Sequence, residues 1–201
     1  MGAEKALVEF RGRPLVENAL EILRSAGISA SIAGANSAST KSAFEAFAPV
    51  VRDLEPGLGP LGGICAAMAS TSARWSVFFS VDLPLLPASL VQFLVNHAQV
   101  TANVVTLTSV TDFAQTFPVV LERSVLPRLR SQLDQGHRGC LSGLQAAAAG
   151  LGENVTVVAA ELLVQSGHVT DPDGLPPACW FLNVNSAEDL RRAQAYRSRE
   201  C

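Results

Sequence analysis

Apolar positions recur along this chain in two rhythms. Over 14–26, "PLVENALEILRSA", Leu15, Ala19, Ile22, Leu23 and Ala26 share one face at helical spacing. Pro14 suits a first helical position there, and Gly27 a stop. Residues 39–47, 63–71, 87–97, 123–134 and 139–149 read as further helices. Shorter apolar runs read as strands: 28–34, 49–52, 75–81, 103–109, 117–122, 154–159 and 179–185. Ser186 then opens a last helix, with Asp189 three residues on as a capping-box-like partner. Strands alternating with helices predict an α/β fold with a mostly parallel sheet.

The run 75–81 is apolar on both faces, as a central strand of a parallel sheet requires. In "VFFSVDLPLLP" (77–87) it runs straight into Asp82, and Pro84 then keeps Leu83 out of the helical region. Ligands of open α/β sheets sit beyond the carboxyl ends of the strands, and Asp82 is placed there. One carboxylate is too little for a cage built of protein alone. It suffices for Mg²⁺, which keeps waters and borrows ligands from substrate phosphates. On the pattern alone, a carboxylate that merely caps the following turn is an equal alternative.

A second feature precedes it. "DLEPGLGPLGG" (53–63) has four glycines and two prolines in eleven residues and leads into a helix of small residues. Such a loop lets backbone N–H groups approach a planar base or an anion. It is neither a Walker A loop nor a G-x-G-x-x-G fingerprint.

Composition narrows the field. The 201 residues suit one domain, and 48% hydrophobic against 16% charged residues suits a compact globule. A net charge of −3 gives no footprint for nucleic acid or a membrane surface. No apolar run approaches the roughly 18 residues that span a bilayer. "MGAEKALVEFRGR" has no apolar signal-peptide core and lacks the Ser or Thr of a myristoylation site. Cys65, Cys140, Cys179 and Cys201 form no C-x-x-C and read as reduced thiols of a cytoplasmic protein. His97, His137 and His168 show no metal-ligand spacing.

Four segments together resemble a known family. "MGAEKALVEFRGRPLVENALEIL", "EPGLGPLGGICAAM", "VFFSVDLPLLP" and "FLNVNSAEDLRRA" are similar, in order and spacing, to the motifs of the molybdenum cofactor guanylyltransferases. The resemblance covers essentially the whole chain. It implies a Rossmann-like three-layer α/β/α sandwich of the nucleotide-diphosphosugar-transferase type, with residues 1–201 as one nucleotidyltransferase domain. It implies transfer of GMP from GTP to molybdenum-molybdopterin, with release of pyrophosphate. It also implies site residues. Asp82 matches the Mg²⁺ ligand and Lys5 the lysine of the N-terminal signature, suited to a triphosphate. Asp53 matches a GTP-contacting aspartate, and Gly59, Pro60, Leu61 and Gly62 the stretch beside the base. Asn183 and Asn185 match the segment before the final helix, Asn185 as a candidate to complete the metal shell. Gly136 and Arg138 fall where the family carries a Gly-x-Arg segment near the pterin. A molybdoenzyme or its chaperone is the implied protein partner.

The sequence also departs from the family. Phe117 stands where Gln or His usually precedes the proline, and Asn36 lies two residues from the place of a GTP-contacting Asn, held by Gly34. The family opens with an apolar strand and an L-A-G-G-x-S-x-R loop directly before M-G-x-x-K, and this sequence begins at that Met. Two readings follow: a natural start lying further upstream, or a genuinely shortened chain, crippled or repurposed. The 201-residue chain made alone is in either case expected to be marginally stable or aggregation-prone for want of a central strand. Cytidylyl transfer to molybdopterin, and a nucleotide- or partner-binding remnant without turnover, stand as the alternative functions.

Overall fold

The structure is a computed structural model and describes residues 3–34, 38–52 and 57–196. A 3₁₀ turn, Ala3–Leu7, leads into a small hairpin of β1 (Glu9–Phe10) and β2 (Arg13–Pro14). Then come α1 (Leu15–Ser25), α2 (Ala38–Glu45), α3 (Gly59–Ala69), β3 (Trp75–Phe78) and α4 (Ala88–Thr101). The hairpin of β4 (Val105–Val110) and β5 (Phe113–Glu122) follows, then α5 (Leu126–Asp134), α6 (Cys140–Ala149) and β6 (Thr156–Ala159). The chain closes with α7 (Ala160–Gln165), α8 (Pro177–Trp180) and α9 (Ala187–Ala195).

Four strands form the main sheet in the order β3-β5-β4-β6. β5 runs antiparallel to both neighbours, whereas β4 and β6 pair in parallel. Strand alternation feeds two cores, one on each face. Val105, Leu107, Val119 and Leu121 point into the cluster built on α3, α5 and α6. Val110 and Val120 point into the cluster with Leu90, Val91 and Leu94 of α4, Leu163 of α7 and Trp180 of α8. Helices therefore cover both faces, the α/β/α layering that the family resemblance implies.

Several elements differ from the pattern reading. The strand expected over 75–81 stops pairing at Phe78, because Phe79 would face Pro118 of β5, which has no N–H to give. Among the described residues β3 pairs with β5 alone, so it is an edge of this four-stranded sheet and not a central strand. The strands expected at 28–34 and 49–52 meet only in one parallel bridge, Ile32 to Val50. The strand expected at 179–185 is absent. Pro176 and Pro177 start a helical turn instead, which seats the fully buried Trp180 with its indole N–H on the Leu175 carbonyl at 3.0 Å. α3 begins at Gly59, earlier than read, because Pro60 near its first turn starts a helix where the Gly/Pro content suggested a loop. β5 begins at Phe113 because Thr111 and Asp112 both take positive φ in a two-residue hairpin turn.

Candidate active site

Small apolar clusters bring three distant segments together. Ala6, beside Lys5, is buried with Val16 of α1 and Phe44 of α2, and Val81, beside Asp82, packs on the same group. Leu85, three residues past Asp82, is buried with Phe10, Leu15 and Val184, the neighbour of Asn185. The polar residue next to each of these anchors has little choice of place.

Those residues meet. The Lys5 ammonium donates to Oδ2 of Asp82 at 2.8 Å. It also donates to Oδ1 of Asn185, 180 positions away in sequence. The Ser80 hydroxyl donates to the other Asp82 oxygen, Oδ1. The backbone adds a tie, from the Val184 N–H to the Asp82 carbonyl at 2.9 Å. Asn18 of α1 holds the loop beyond, its amide N–H₂ on the Pro84 carbonyl at 3.1 Å.

Asn185 is positioned from its C-terminal side. Its backbone N–H donates to Oδ2 of Asp189 at 3.1 Å, and the Ser186 hydroxyl accepts from the Asp189 N–H, closing the expected capping box on α9. The hydrogen bond from the Ser186 side chain, followed by that from the Asn185 N–H, holds the Asp189 carboxyl below its ordinary value. Further along the chain, Arg11 ties the β1–β2 turn to Asp173 at 2.9 Å and to the Tyr196 carbonyl, so the N-terminal segment is clamped to the end of α9.

The remaining sequence candidates fall elsewhere or differently. Gly59, at φ +66°, and Pro60 are exposed at the head of α3. Leu61 is wholly buried against the core, where a Cβ on Gly143 of α6 would stand 2.9 Å from its Cδ2. Its side chain therefore faces no ligand, and only its backbone lies at the head of the helix. Gly62 is buried too, and a Cβ there would overlap the Leu58 Cβ. Asn183 is exposed in the segment of Asn185, and Gly136 and Arg138 are exposed ahead of α6. Asp53 and Asn36 lie outside the described residues. Clefts beside α1 and between β6 and α6 contain none of the site residues. Sequence reasoning missed Ser80 and Asn18. Ser80, two residues before the carboxylate, carried a local signal, whereas nothing near Asn18 marked it.

Among the described residues no group of three His, Cys, Asp or Glu side chains is gathered for a metal. The oxygens that do converge are a carboxylate and an amide, both hard donors, and they share one cationic partner in the Lys5 ammonium. That donor set fits a cation such as Mg²⁺, which takes few protein ligands and completes its shell with water and phosphate.

Comparison with known proteins gives the family. The sequence profile of the MobA-like NTP transferase domain matches residues 1–148, which include Lys5 and Asp82. The chain belongs to the MobA-like NTP transferases. A molybdenum cofactor guanylyltransferase of Vibrio atlanticus is 31% identical over 94% of this chain and 86% of its own length. One from Serratia proteamaculans is 32% identical over 74% of each chain. Among solved structures, molybdopterin-guanine dinucleotide biosynthesis protein A of Archaeoglobus fulgidus superposes with a TM-score of 0.75 at 21% identity, covering 96% of this chain and 89% of that one. The 2-C-methyl-D-erythritol 4-phosphate cytidylyltransferase of Thermus thermophilus gives 0.65 at 16% identity, covering 96% and 94%. These likenesses establish the nucleotidyltransferase fold. No helix among the described residues is long and apolar enough to cross a membrane.

Proposed function

We propose that this MobA-like protein is a Mg²⁺-dependent guanylyltransferase of one domain, acting in the cytoplasm. It transfers GMP from GTP to molybdenum-molybdopterin and releases pyrophosphate. The observation that carries the proposal is the meeting of Lys5, Asp82 and Asn185 in a chain whose relatives are named molybdenum cofactor guanylyltransferases.

The chemistry asks little of acids and bases. A terminal phosphate oxygen of the pterin substrate forms a bond to the α-phosphorus of GTP, and the bond from that phosphorus to the bridging oxygen breaks, its electrons leaving with pyrophosphate. Lys5 offers a flexible cation to the polyphosphate. Asp82 and Asn185 would hold Mg²⁺, which when bound neutralises charge on the phosphates. Ser80 orients the Asp82 carboxylate, and the capping box fixes the start of α9 and with it Asn185. The backbone of Gly59, Pro60 and Leu61, and Asp53, are assigned to GTP, an aspartate being able to accept from the guanine edge or the ribose hydroxyls. Asn183, Gly136 and Arg138 are assigned to the pterin side, and a molybdoenzyme or its chaperone to product delivery.

A melting series tests the assignment of base. Mg-GTP raises Tm and Mg-CTP does not. An equal shift with CTP transfers the protein to the cytidylyl branch, and no shift with either nucleotide contradicts the proposal.

A further inference from the structure

Lys5 holds the same two oxygens that a metal would need. Its ammonium sits 2.8 Å from Oδ2 of Asp82 and donates to Oδ1 of Asn185. Both side chains of the ion pair are sheltered, 14% and 21% exposed, so solvent screens the pair less than an open surface pair. Mg²⁺ binds its oxygens at about 2.0–2.1 Å. An ion on Oδ2 and Asn185 Oδ1 would therefore lie against the ammonium, and two cations cannot share that place.

From this exclusion we infer that Lys5 is a resident counter-cation that keeps the divalent ion off Asp82 until a polyphosphate draws the ammonium away. The inference rests on the metal assignment proposed above and adds an order to it. Nucleotide gives Lys5 another anionic partner, Asp82 and Asn185 are released, and the ion enters with the nucleotide instead of before it. The Ser80 hydroxyl stays on Oδ1 through the exchange and keeps the carboxylate aimed. Because coupling between two ligands is reciprocal, metal and nucleotide each tighten the other.

The probe is Mn²⁺ alone, its free concentration read by electron paramagnetic resonance with the full chain and no nucleotide present. Lys5→Met removes the charge, and Lys5→Gln removes it while keeping a donor for the Asp82–Asn185 pair, which guards against a variant that fails to fold. Both variants bind Mn²⁺ at least about tenfold tighter than the unaltered protein, since a neighbouring positive charge is gone. Asp82→Asn in the Lys5→Met background abolishes that gain. If Lys5→Met and Lys5→Gln bind Mn²⁺ no tighter while Asp82→Asn alone still weakens it, the exchange is overturned and Asp82 remains a metal ligand. If Asp82→Asn leaves Mn²⁺ binding unchanged in every background, the exchange and the metal assignment both fall.

Discussion

The backbone N–H of Val184 donates to the carbonyl oxygen of Asp82 at 2.9 Å, so the segment carrying Asn185 is sewn to the turn carrying the carboxylate. A main-chain bond is not altered by changing either side chain. Asp82→Asn therefore leaves the turn in place while it removes the charge that Lys5 neutralises. The variant keeps its Tm to within a few degrees, and guanylyl transfer falls by roughly 100-fold or more, the scale seen when one preorganised electrostatic contact is lost. Steady-state pyrophosphate release beside a thermal melt checks both halves.

The capping box makes α9 and Asn185 sensitive to acid. The Asp189 carboxyl is held below its ordinary 3.8, chiefly by the Ser186 side chain and then by the Asn185 N–H. A depressed folded-state value contributes stability that is fully present above the unfolded value and is lost as pH falls through the folded one. Asp189→Ala therefore lowers Tm at neutral pH, and the gap to the unaltered protein narrows below about pH 4. Melts across an acid series measure it, and a gap constant with pH would remove the carboxylate from the account.

Gly143 of α6 and Leu61 of α3 are matched in size. A Cβ at 143 would stand 2.9 Å from Leu61 Cδ2, in a core where Leu61 and Leu144 are wholly buried. Gly143→Ala overpacks this contact and costs about 1–3 kcal/mol, less whatever the better helix former returns. Because Leu61 heads α3, the same variant shifts the Gly59–Pro60 turn. Nucleotide affinity falls with stability, and denaturant melts with a nucleotide titration check the pair.

How much of this was legible in the sequence depends on where the signal lay. Asp82 was readable because an apolar strand ending in a carboxylate and a proline is a local pattern. The α9 cap was readable for the same reason, Ser186 and Asp189 being three apart. The end of β3 was not, because it is set across the sheet by Pro118, forty residues away. The segment 179–185 reads as a strand by its apolar run, yet Pro176 and Pro177 just before it and the buried Trp180 made its start a helical turn. The joining of Lys5 to Asn185 spans 180 positions, and only the family resemblance put both residues on one list of candidates. Leu61 shows the opposite lesson: a residue in the stretch that the resemblance sets beside the base has its side chain in the core.

Two thiols lie in the cluster of α3, α5 and α6. Burial pushes Cys65 up to about 11, and Cys140 likewise to about 11, so both stay protonated at neutral pH. Cys65 of α3 is wholly buried in that cluster. A thiolate-specific disulfide reagent therefore labels Cys65 and Cys140 far more slowly in the folded protein than in denaturant. Mass spectrometry of timed samples reads the rates.

Two threonines of β4 test the core from the other side. The Thr106 and Thr108 hydroxyls are fully buried, with no hydrogen-bond partner among the described residues. A buried hydroxyl without a partner is destabilising by about 1–3 kcal/mol on the scale of protein mutations. Thr108→Val therefore raises Tm, against the usual direction of core substitutions, and calorimetry checks it.

Lys5, Asp82 and Asn185 are assigned to guanylyl transfer, and that assignment underlies the proposed mechanism. It is tested most directly by pyrophosphate release from GTP in a single turnover with molybdenum-molybdopterin, for the unaltered protein and for Asp82→Asn. Release is expected to require the pterin, to prefer GTP to CTP, and to fall roughly 100-fold in the variant. Release at an unchanged rate in Asp82→Asn would contradict it.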